Sequence, residues 1–485
     1  MALKRFSLDL ASLSAARIVQ TLAGFASLPI IARLLGPHEF GLVAVAMGFV
    51  VATIFMADAG MGQSLVRTPS SDTTTWSSAF WAITSFGVGL SLLLVVVAFA
   101  APIVFGEPRL FGLILGLAVI PFLVASLAAP TAEMQQRQKF RELAGIEGVS
   151  ALTALGVAIA TAFHGAGAWA LVLQQIAFWL TKGLLVIWRT RFRPRLVFSR
   201  HNLSDHLRFA RDNTGTTILY FFARQIDPLV IGRVLGTAPT GLYAFATRIM
   251  NLPQQLVASP VQNALYVRMV ELRDDKEALR DLLLIMTTCI GLLVFPGVAI
   301  LAAASSAYFS VLLSHDWSEA GPVFTLLAPV AAMQTILVPA NALVLATGNT
   351  AIRLRQTFEL AILWVVLLPV TAQFGLPVIA AAFSLANVLY MPRALQMTLP
   401  VIDLRIRAFL IAILPATMAG IALYAGHSLI RTYVPMSELQ EIALSLTELA
   451  LAYAALLYTS RIALQAQIKT LRGLMLRSAP RAEQA

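Results

Sequence analysis

The sequence is poor in charge and almost without cysteine. Only 12% of its 485 residues are Asp, Glu, Lys or Arg, and Cys289 is the single thiol. One thiol excludes a disulfide framework, and its place inside an apolar run makes it a small core hydrophobe. A chain of this length with so few polar groups cannot cover the surface of a soluble globule. The motifs of nucleotide and metal chemistry are missing too: there is no GxxxxGK[ST], no HExxH and no CxxC. Neither ATP hydrolysis nor a metal site of recognisable spacing is expected, and no cofactor. Long loops are absent, which weighs against an enzyme that houses its chemistry outside the membrane.

What is present is apolar sequence. Hydrophobic residues make up 58% of the chain and the mean hydropathy is +0.80. The apolar segments run about 20 to 28 residues, enough for a helix to cross about 30 Å of hydrocarbon, and they lack the alternation of a membrane barrel strand. Hydropathy places fourteen spans, at 11–35, 40–63, 76–104, 110–134, 143–163 and 166–189, then at 209–235, 240–265, 279–304, 319–346, 352–373 and 376–400, with a last pair at 407–427 and 440–461. The expected fold class is an all-α polytopic membrane protein of about fourteen transmembrane helices.

A net charge of +11 suits nucleic acid, but the basic residues fall in every second loop, which marks cytoplasmic loops. One side holds Arg67; Arg137, Lys139 and Arg141; Arg189, Arg191, Arg193, Arg195 and Arg200; Arg268, Arg273, Lys276 and Arg280; Arg353 and Arg355; Arg405 and Arg407; and the tail from Arg461. Opposite loops have little beyond Arg33, Arg109, Arg233 and Arg431. No nucleic-acid partner is expected, and both termini are placed in the cytoplasm. The N-terminal MALKRFSLDL leads into a span without a small-residue cleavage site and reads as an uncleaved first helix.

Residues 31–46, IARLLGPHEFGLVAVA, return as 231–246, IGRVLGTAPTGLYAFA, with eight of sixteen positions identical, among them Arg33 and Arg233, Gly36 and Gly236, and Gly41 and Gly241. In each copy an apolar helix ends at a glycine, turns through four residues and re-enters with Gly-Leu, forming a tight helical hairpin at one membrane face. The duplication implies two pseudo-symmetric halves. These are an N-terminal six-helix lobe at 1–198, a C-terminal six-helix lobe at 199–400, and two extra helices with a basic tail at 401–485. Between the lobes runs RTRFRPRLVFSRHNLSDHL, whose charge topology and anionic lipid explain.

Several stretches carry a family resemblance: GPHEFGLVAVAMGFV with the following ADAGMGQSLVR, then QQRQKFRELAGIEGVSALTALGVAIATAFHGAGAWALVLQQ, then ARQIDPLVIGRVLGTAPTGLYAFATRI. In this order and spacing the chain resembles bacterial polysaccharide flippases of the Wzx type, in the multidrug/oligosaccharidyl-lipid/polysaccharide exporter superfamily, over about residues 10–400. The resemblance implies two lobes about a pseudo-twofold axis along the membrane normal, and a central cavity opening alternately to cytoplasm and periplasm of the bacterial inner membrane. It also implies the cargo, an oligosaccharide repeat unit on undecaprenyl pyrophosphate. That cargo moves from the cytoplasmic to the periplasmic leaflet for exopolysaccharide, capsule or O-antigen export, with membrane lipids and polysaccharide polymerase or export machinery as further partners. Without ATP, the drive must be H+ or Na+, the membrane potential or the substrate gradient.

Ionisable groups at membrane depth are the default site candidates. Arg224 and Asp227 lie three residues apart on the seventh span, with Pro228 next. They form either an internal ion pair holding a kink or a pyrophosphate contact, with Asp227 orienting the guanidinium or taking a coupling ion. Gly24 and Ser27 stand at the aligned positions of the first half. Arg248, Asn251 and Gln255 make a polar stripe at i, i+3 and i+7 on the eighth span. The guanidinium suits phosphate and the amides suit sugar hydroxyls, or the amides simply pack helices. On the sixth span, Gln175, Trp179 and Lys182 present a sugar-stacking ring beside polar groups, or Lys182 snorkels to the cytoplasmic interface, the reading preferred. Asp58, Glu133 and Glu147 are expected to cap helices or to pair with Arg67, Arg137 or Arg141, and Arg355 to pair with Glu359.

Competing readings stay open. An ion-coupled multidrug exporter of the same superfamily favours carboxylates and aromatics over arginine, a lipid II flippase uses arginines as well, and a membrane glycan polymerase or ligase needs a long charged loop.

Overall fold

The computed structural model describes residues 2–57, 61–66, 72–199, 203 and 226–459. Hydrocarbon offers the backbone no hydrogen-bond partners, so each apolar run must satisfy its own N–H and C=O groups as a helix. All regular structure among the described residues is helical. The helices are α1 (Ala2–Ala57), α2 (Thr73–Phe105), α3 (Arg109–Gln136), α4 (Phe140–Phe163), α5 (Trp169–Thr190), the short α6 (Asp227–Val234) and α7 (Thr237–Met250), α8 (Ser259–Glu271), α9 (Lys276–Ala303), the short α10 (Ser305–Leu312), α11 (Ala320–Ala346), α12 (Thr350–Ala372), α13 (Leu376–Ile402), α14 (Ile406–Tyr433) and α15 (Glu438–Thr459). Carboxylate caps start two of them: Asp72 accepts from the Thr75 N–H and Asp275 from the Ala278 N–H, both at 3.0 Å.

Among the described residues eleven helices are long and apolar enough to cross a bilayer. The difference from fourteen has local causes. The first two expected spans form one helical run interrupted at Gly36, where φ is 73° and ψ 168°. The seventh is described only from residue 226. The eighth, expected as one helix over 240–265, is broken: α7 ends at Met250, Asn251 lies in a turn, and a π-helical segment, Gln254–Ala258, leads into α8. Pro253 between them has no N–H to give the helix.

Two compact units divide the chain. The first is Met1–Ala244 with Leu368–Gln373, and the second is Phe245–Leu367 with Phe374–Ala485. In the first, α4 packs against α5 and α1, and α3 against α2 and α5. The extended stretch after α5 lies along the start of α2, where the Ser77 and Ser78 hydroxyls accept from the Arg195 and Ser199 N–H groups at 3.0 and 2.9 Å and the Trp81 indole donates to the Arg195 carbonyl at 2.9 Å. In the second, α9 packs against α14, α11 and α15. Phe245, Phe309, Trp317 and Phe324 form an aromatic core with ring centroids 4.8 to 6.0 Å apart. Outward faces stay apolar, as at Val96, Ile103, Leu184, Trp188, Leu389 and Leu451, the surface that lipid covers.

The repeated hairpin is built alike in both copies. Gly36 and Gly236 both have positive φ, 73° and 94°, which an L side chain adopts only under strain. Gly41 and Gly241 face one another inside the first unit. A β-carbon on Gly41 would collide with the Thr237 carbonyl and one on Gly241 with the Pro37 carbonyl, and each would come within 2.9 Å of the facing glycine nitrogen. Because 37 and 237, like 41 and 241, are equivalent positions, the contact is reciprocal.

In each unit ion pairs form beside the basic loops. Glu133 pairs with Arg137, as expected, and Glu142 with Arg189, both at 2.6 Å. Arg355 meets Glu359 at 2.8 Å. Between α13 and α14, a hydrogen bond from Lys276 at 2.8 Å, with Arg280 behind it, holds the Asp403 carboxyl below the usual carboxylate range.

Candidate functional site

The broken helix carries the polar stripe. Arg248 sits eleven residues after Thr237, the start of α7. At about 1.5 Å per residue that is roughly 16 Å from the hairpin turn, about half of a bilayer core. Its side chain is exposed and has no ion pair or hydrogen bond among the described residues. Asn251 occupies the turn and Gln255 the π segment, where it too is exposed. The break therefore replaces the single helical stripe expected from spacing i, i+3 and i+7. π segments recur at functional sites, and interrupted membrane helices are tolerated where they line a cavity.

The remaining candidates belong to the first unit. Asp227 is the first residue of α6, with Pro228 next, where helix dipole and missing N–H both suit the sequence. Its carboxylate accepts from the Tyr243 hydroxyl at 3.2 Å. Arg224 lies outside the described residues, as do Asp58 and Arg67. On α5, Lys182 does not run to the interface as expected. Its ammonium pairs with Glu147 of α4 at 2.9 Å and lies 5.3 Å from the centre of the Trp179 ring. A carboxylate on the neighbouring helix outcompetes the route to water, and Glu147 pairs with this lysine rather than with Arg137 or Arg141. Trp179 packs against Leu127, Met134, Ile146 and Val186, and Gln175 is half-buried one turn earlier.

A second polar network fixes the first hairpin turn. Arg109 grips Glu39 with two bonds of 2.5 and 2.7 Å, and Glu39 also accepts from the Ala168 N–H at 2.7 Å. His38 and Thr237 both reach Glu107, at 3.3 and 3.4 Å. Gly167, with φ of 55°, leaves room for the carboxylate: a β-carbon there would lie 2.6 Å from the Glu39 Oε2.

With this geometry in place, residues 30–322 match the family described as polysaccharide biosynthesis protein. The chain belongs to that family. This family member is 30% identical over 308 residues to the succinoglycan biosynthesis transport protein ExoT of Rhizobium meliloti (strain 1021), a match covering 63% of this chain and 62% of the relative, just under two thirds of its length. It is 25% identical over 412 residues to the teichuronic acid biosynthesis protein TuaB of Bacillus subtilis (strain 168), with 82% and 84% covered. In fold it resembles the lipid II flippase MurJ in an inward closed conformation, with a TM-score of 0.72 at 14% identity over 94% of this chain and 99% of the other. It also resembles an inward-facing multidrug resistance MATE transporter of the MOP superfamily, with a TM-score of 0.58 at 14% identity over 84% and 98%. The all-helical fold of that superfamily, expected from the resemblance, is the fold of this polysaccharide biosynthesis family member.

Two groups escaped the sequence reading. Arg268, counted there among loop charges, is nine-tenths buried in the last turn of α8. One guanidinium nitrogen meets Glu271 at 2.6 Å, while Nε and Nη2 have no hydrogen-bond partner among the described residues. The second group surrounds His427 on α14, a position that reads as an isolated polar residue in an apolar run because its partners lie on α15.

Proposed function

We propose that the protein is a flippase that carries lipid-linked oligosaccharide repeat units from one leaflet of the bacterial inner membrane to the other for polysaccharide export. The observation that carries this reading is Arg248, a guanidinium at membrane depth with no counter-charge among the described residues, on a helix interrupted by a turn and a π segment. An arginine at such depth costs at least about 2.5 to 3.5 kcal/mol. An anionic cargo repays that cost with the planar fork that binds phosphate oxygens. The pyrophosphate would meet Arg248, the amides of Asn251 and Gln255 would meet sugar hydroxyls, and the prenyl tail would stay in lipid. An organic cation would be repelled by the same group.

In this reading the lobes at 1–198 and 199–400 rock against each other, residues 401–485 add two helices and a tail, and both termini are cytoplasmic. The proposed role assigns no residue to catalysis. The membrane potential or an H+ or Na+ gradient drives the cycle, and polymerase or export machinery receives the product.

The test is the lipid-linked oligosaccharide pool in a strain lacking the gene, with glycan length read by mass spectrometry. Complete repeat units accumulating on the cytoplasmic leaflet are the expected result. Incomplete glycans would point to an enzyme upstream, and an unchanged pool with altered drug sensitivity would move the protein to the exporter class.

A further inference from the structure

At the ends of α14 and α15 farthest from the basic loops, four charged or ionisable side chains form a chain running inward. Arg431 Nε lies 3.4 Å from Glu441 Oε1, that oxygen lies 3.7 Å from His427 Nε2, and His427 Nδ1 lies 2.7 Å from Glu448 Oε2. The first member is half-exposed; the His427 side chain is 0% exposed and that of Glu441 7%. Glu448 is ten residues into α15, which at about 1.5 Å per residue puts it roughly 15 Å below the helix start.

Two features set this chain apart from a closed structural ion cluster. First, His427 Nε2 and Glu441 Oε1 are buried without a hydrogen-bond partner among the described residues. They face each other across a gap just too wide for a hydrogen bond, an arrangement that buried polar groups avoid. Second, the fixed charges do not balance. Arg431 brings one positive charge and the two carboxylates two negative ones, so a low-dielectric site is neutral only with one additional proton. Among the described residues the helices packed here offer no other cation. Between Gly291 and Ala303, α9 has no ionisable side chain, and α10 offers Tyr308, whose hydroxyl lies 2.9 Å from the Ser445 Oγ. The other ionisable groups on α14 beyond Gly420 are Tyr424 and Tyr433, and those on α15 are Glu438, Tyr453 and Tyr458. Arg393 and Tyr390 of α13 are held at Glu359.

We propose that these four residues form a proton-binding site in the C-terminal helical pair, and that a proton taken up from the face opposite the basic loops drives the transport cycle. The coupling rests on the flippase reading; the site does not. A proton on Glu441 passes to His427 Nε2 while Nδ1–H is given to Glu448. One O–H and one N–H bond break, one N–H and one O–H bond form, and the imidazole ends neutral in its other tautomer. Arg431 stands beside Glu441 at the outer end, and Glu448 receives the proton at the inner end.

The site is tested by 15N NMR of the full chain in lipid with labelled histidine, the His427 signal among the six histidines being the one lost in His427→Gln. Over about pH 5 to 9 that signal is expected to change protonation or tautomer, and the pH of the step to move in both Glu441→Gln and Glu448→Gln. A signal constant over the range overturns the site. For the coupling, flipping of a lipid-linked oligosaccharide is followed in liposomes with and without a step of one pH unit, which can change the rate by up to about tenfold. The wild type is expected to gain about threefold or more, and the ratio in His427→Gln to fall to about one. Glu441→Gln, at the outer end, gives the same readout if His427→Gln fails to insert. A wild-type rate indifferent to the pH step overturns the coupling. Absence of flipping under both conditions defeats the flippase reading, while the NMR titration still decides the site.

Discussion

The two copies of the hairpin share a backbone and differ in chemistry. Both place a glycine at positive φ before the turn, and both bring a second glycine against the carbonyl of the other copy. Around that frame the charges diverge. The first turn has His38 and Glu39, tied to Glu107, Arg109 and Ala168, where the second has Ala238 and Pro239. Upstream, Ser27 faces Asp227 in the alignment; downstream, Gly48, Val51 and Phe55 stand where the second copy has Arg248, Asn251 and Gln255. What duplication kept is the geometry of a turn that cannot change without separating the copies. What it released is polarity: one copy used it to anchor its turn, the other to line a broken helix.

The reciprocal glycine contact gives the largest expected effect. Gly41→Ala and Gly241→Ala each force a methyl into backbone, and overpacking of this kind costs about 1–3 kcal/mol or more. Both variants should unfold several degrees below the wild type in thermal melts of purified protein, and by similar amounts. One tolerated and one severe substitution would break the symmetry. Next comes Arg248→Ala. Loss of a charge-assisted bond worth about 1.5–3 kcal/mol predicts export lowered tenfold or more at unchanged membrane level, with Arg248→Lys intermediate. Full export by Arg248→Ala would leave the polarity of the second copy without a function.

The spans were legible because hydrocarbon thickness dictates helix length: 76–104 became Thr73–Phe105, and 143–163 became Phe140–Phe163. The eighth span was not, because the turn at Asn251 and the π segment leave composition apolar and so leave hydropathy unchanged. Residue identity revealed the repeat, but its reciprocal packing is a tertiary fact that no window of sequence contains. The site was legible to the same degree. Arg248 stood out as a charge in an apolar run, whereas the partner of Lys182 lies 35 positions away on another helix. The partners of His427 lie 14 and 21 positions on, also across a helix pair, so no local pattern marks them.

A smaller effect tests whether the second copy holds its acid deliberately. The bond from Tyr243 to Asp227 has no counterpart in the first copy, where Val43 and Ser27 stand at the equivalent positions. Tyr243→Phe removes one hydrogen bond and keeps the ring, so a loss of about 1 kcal/mol in unfolding free energy is expected. No measurable loss would mean that the placement of Asp227 does not depend on this hydroxyl.

The smallest effect belongs to the pair most alike. Arg33 and Arg233 occupy the same place, three residues before the hairpin glycine, and both are exposed without an ion pair or hydrogen bond among the described residues. Arg109 and Arg431, the other two basic residues of the sparsely charged loops, are each bound to a carboxylate. Long basic side chains at a span end extend toward phosphate headgroups, so Arg33 and Arg233 should contribute through lipid rather than through protein. Substitution of either by alanine is expected to change stability by no more than about 0.5 kcal/mol in detergent. The two effects should be equal, and should grow in bilayers containing anionic lipid and shrink as salt is raised. Melting curves of both single variants and the double variant, in detergent and in such bilayers, decide the point. Equal and additive shifts mean that duplication preserved a lipid contact along with the turn. A large shift for one arginine alone means that the two hairpin copies have parted even here.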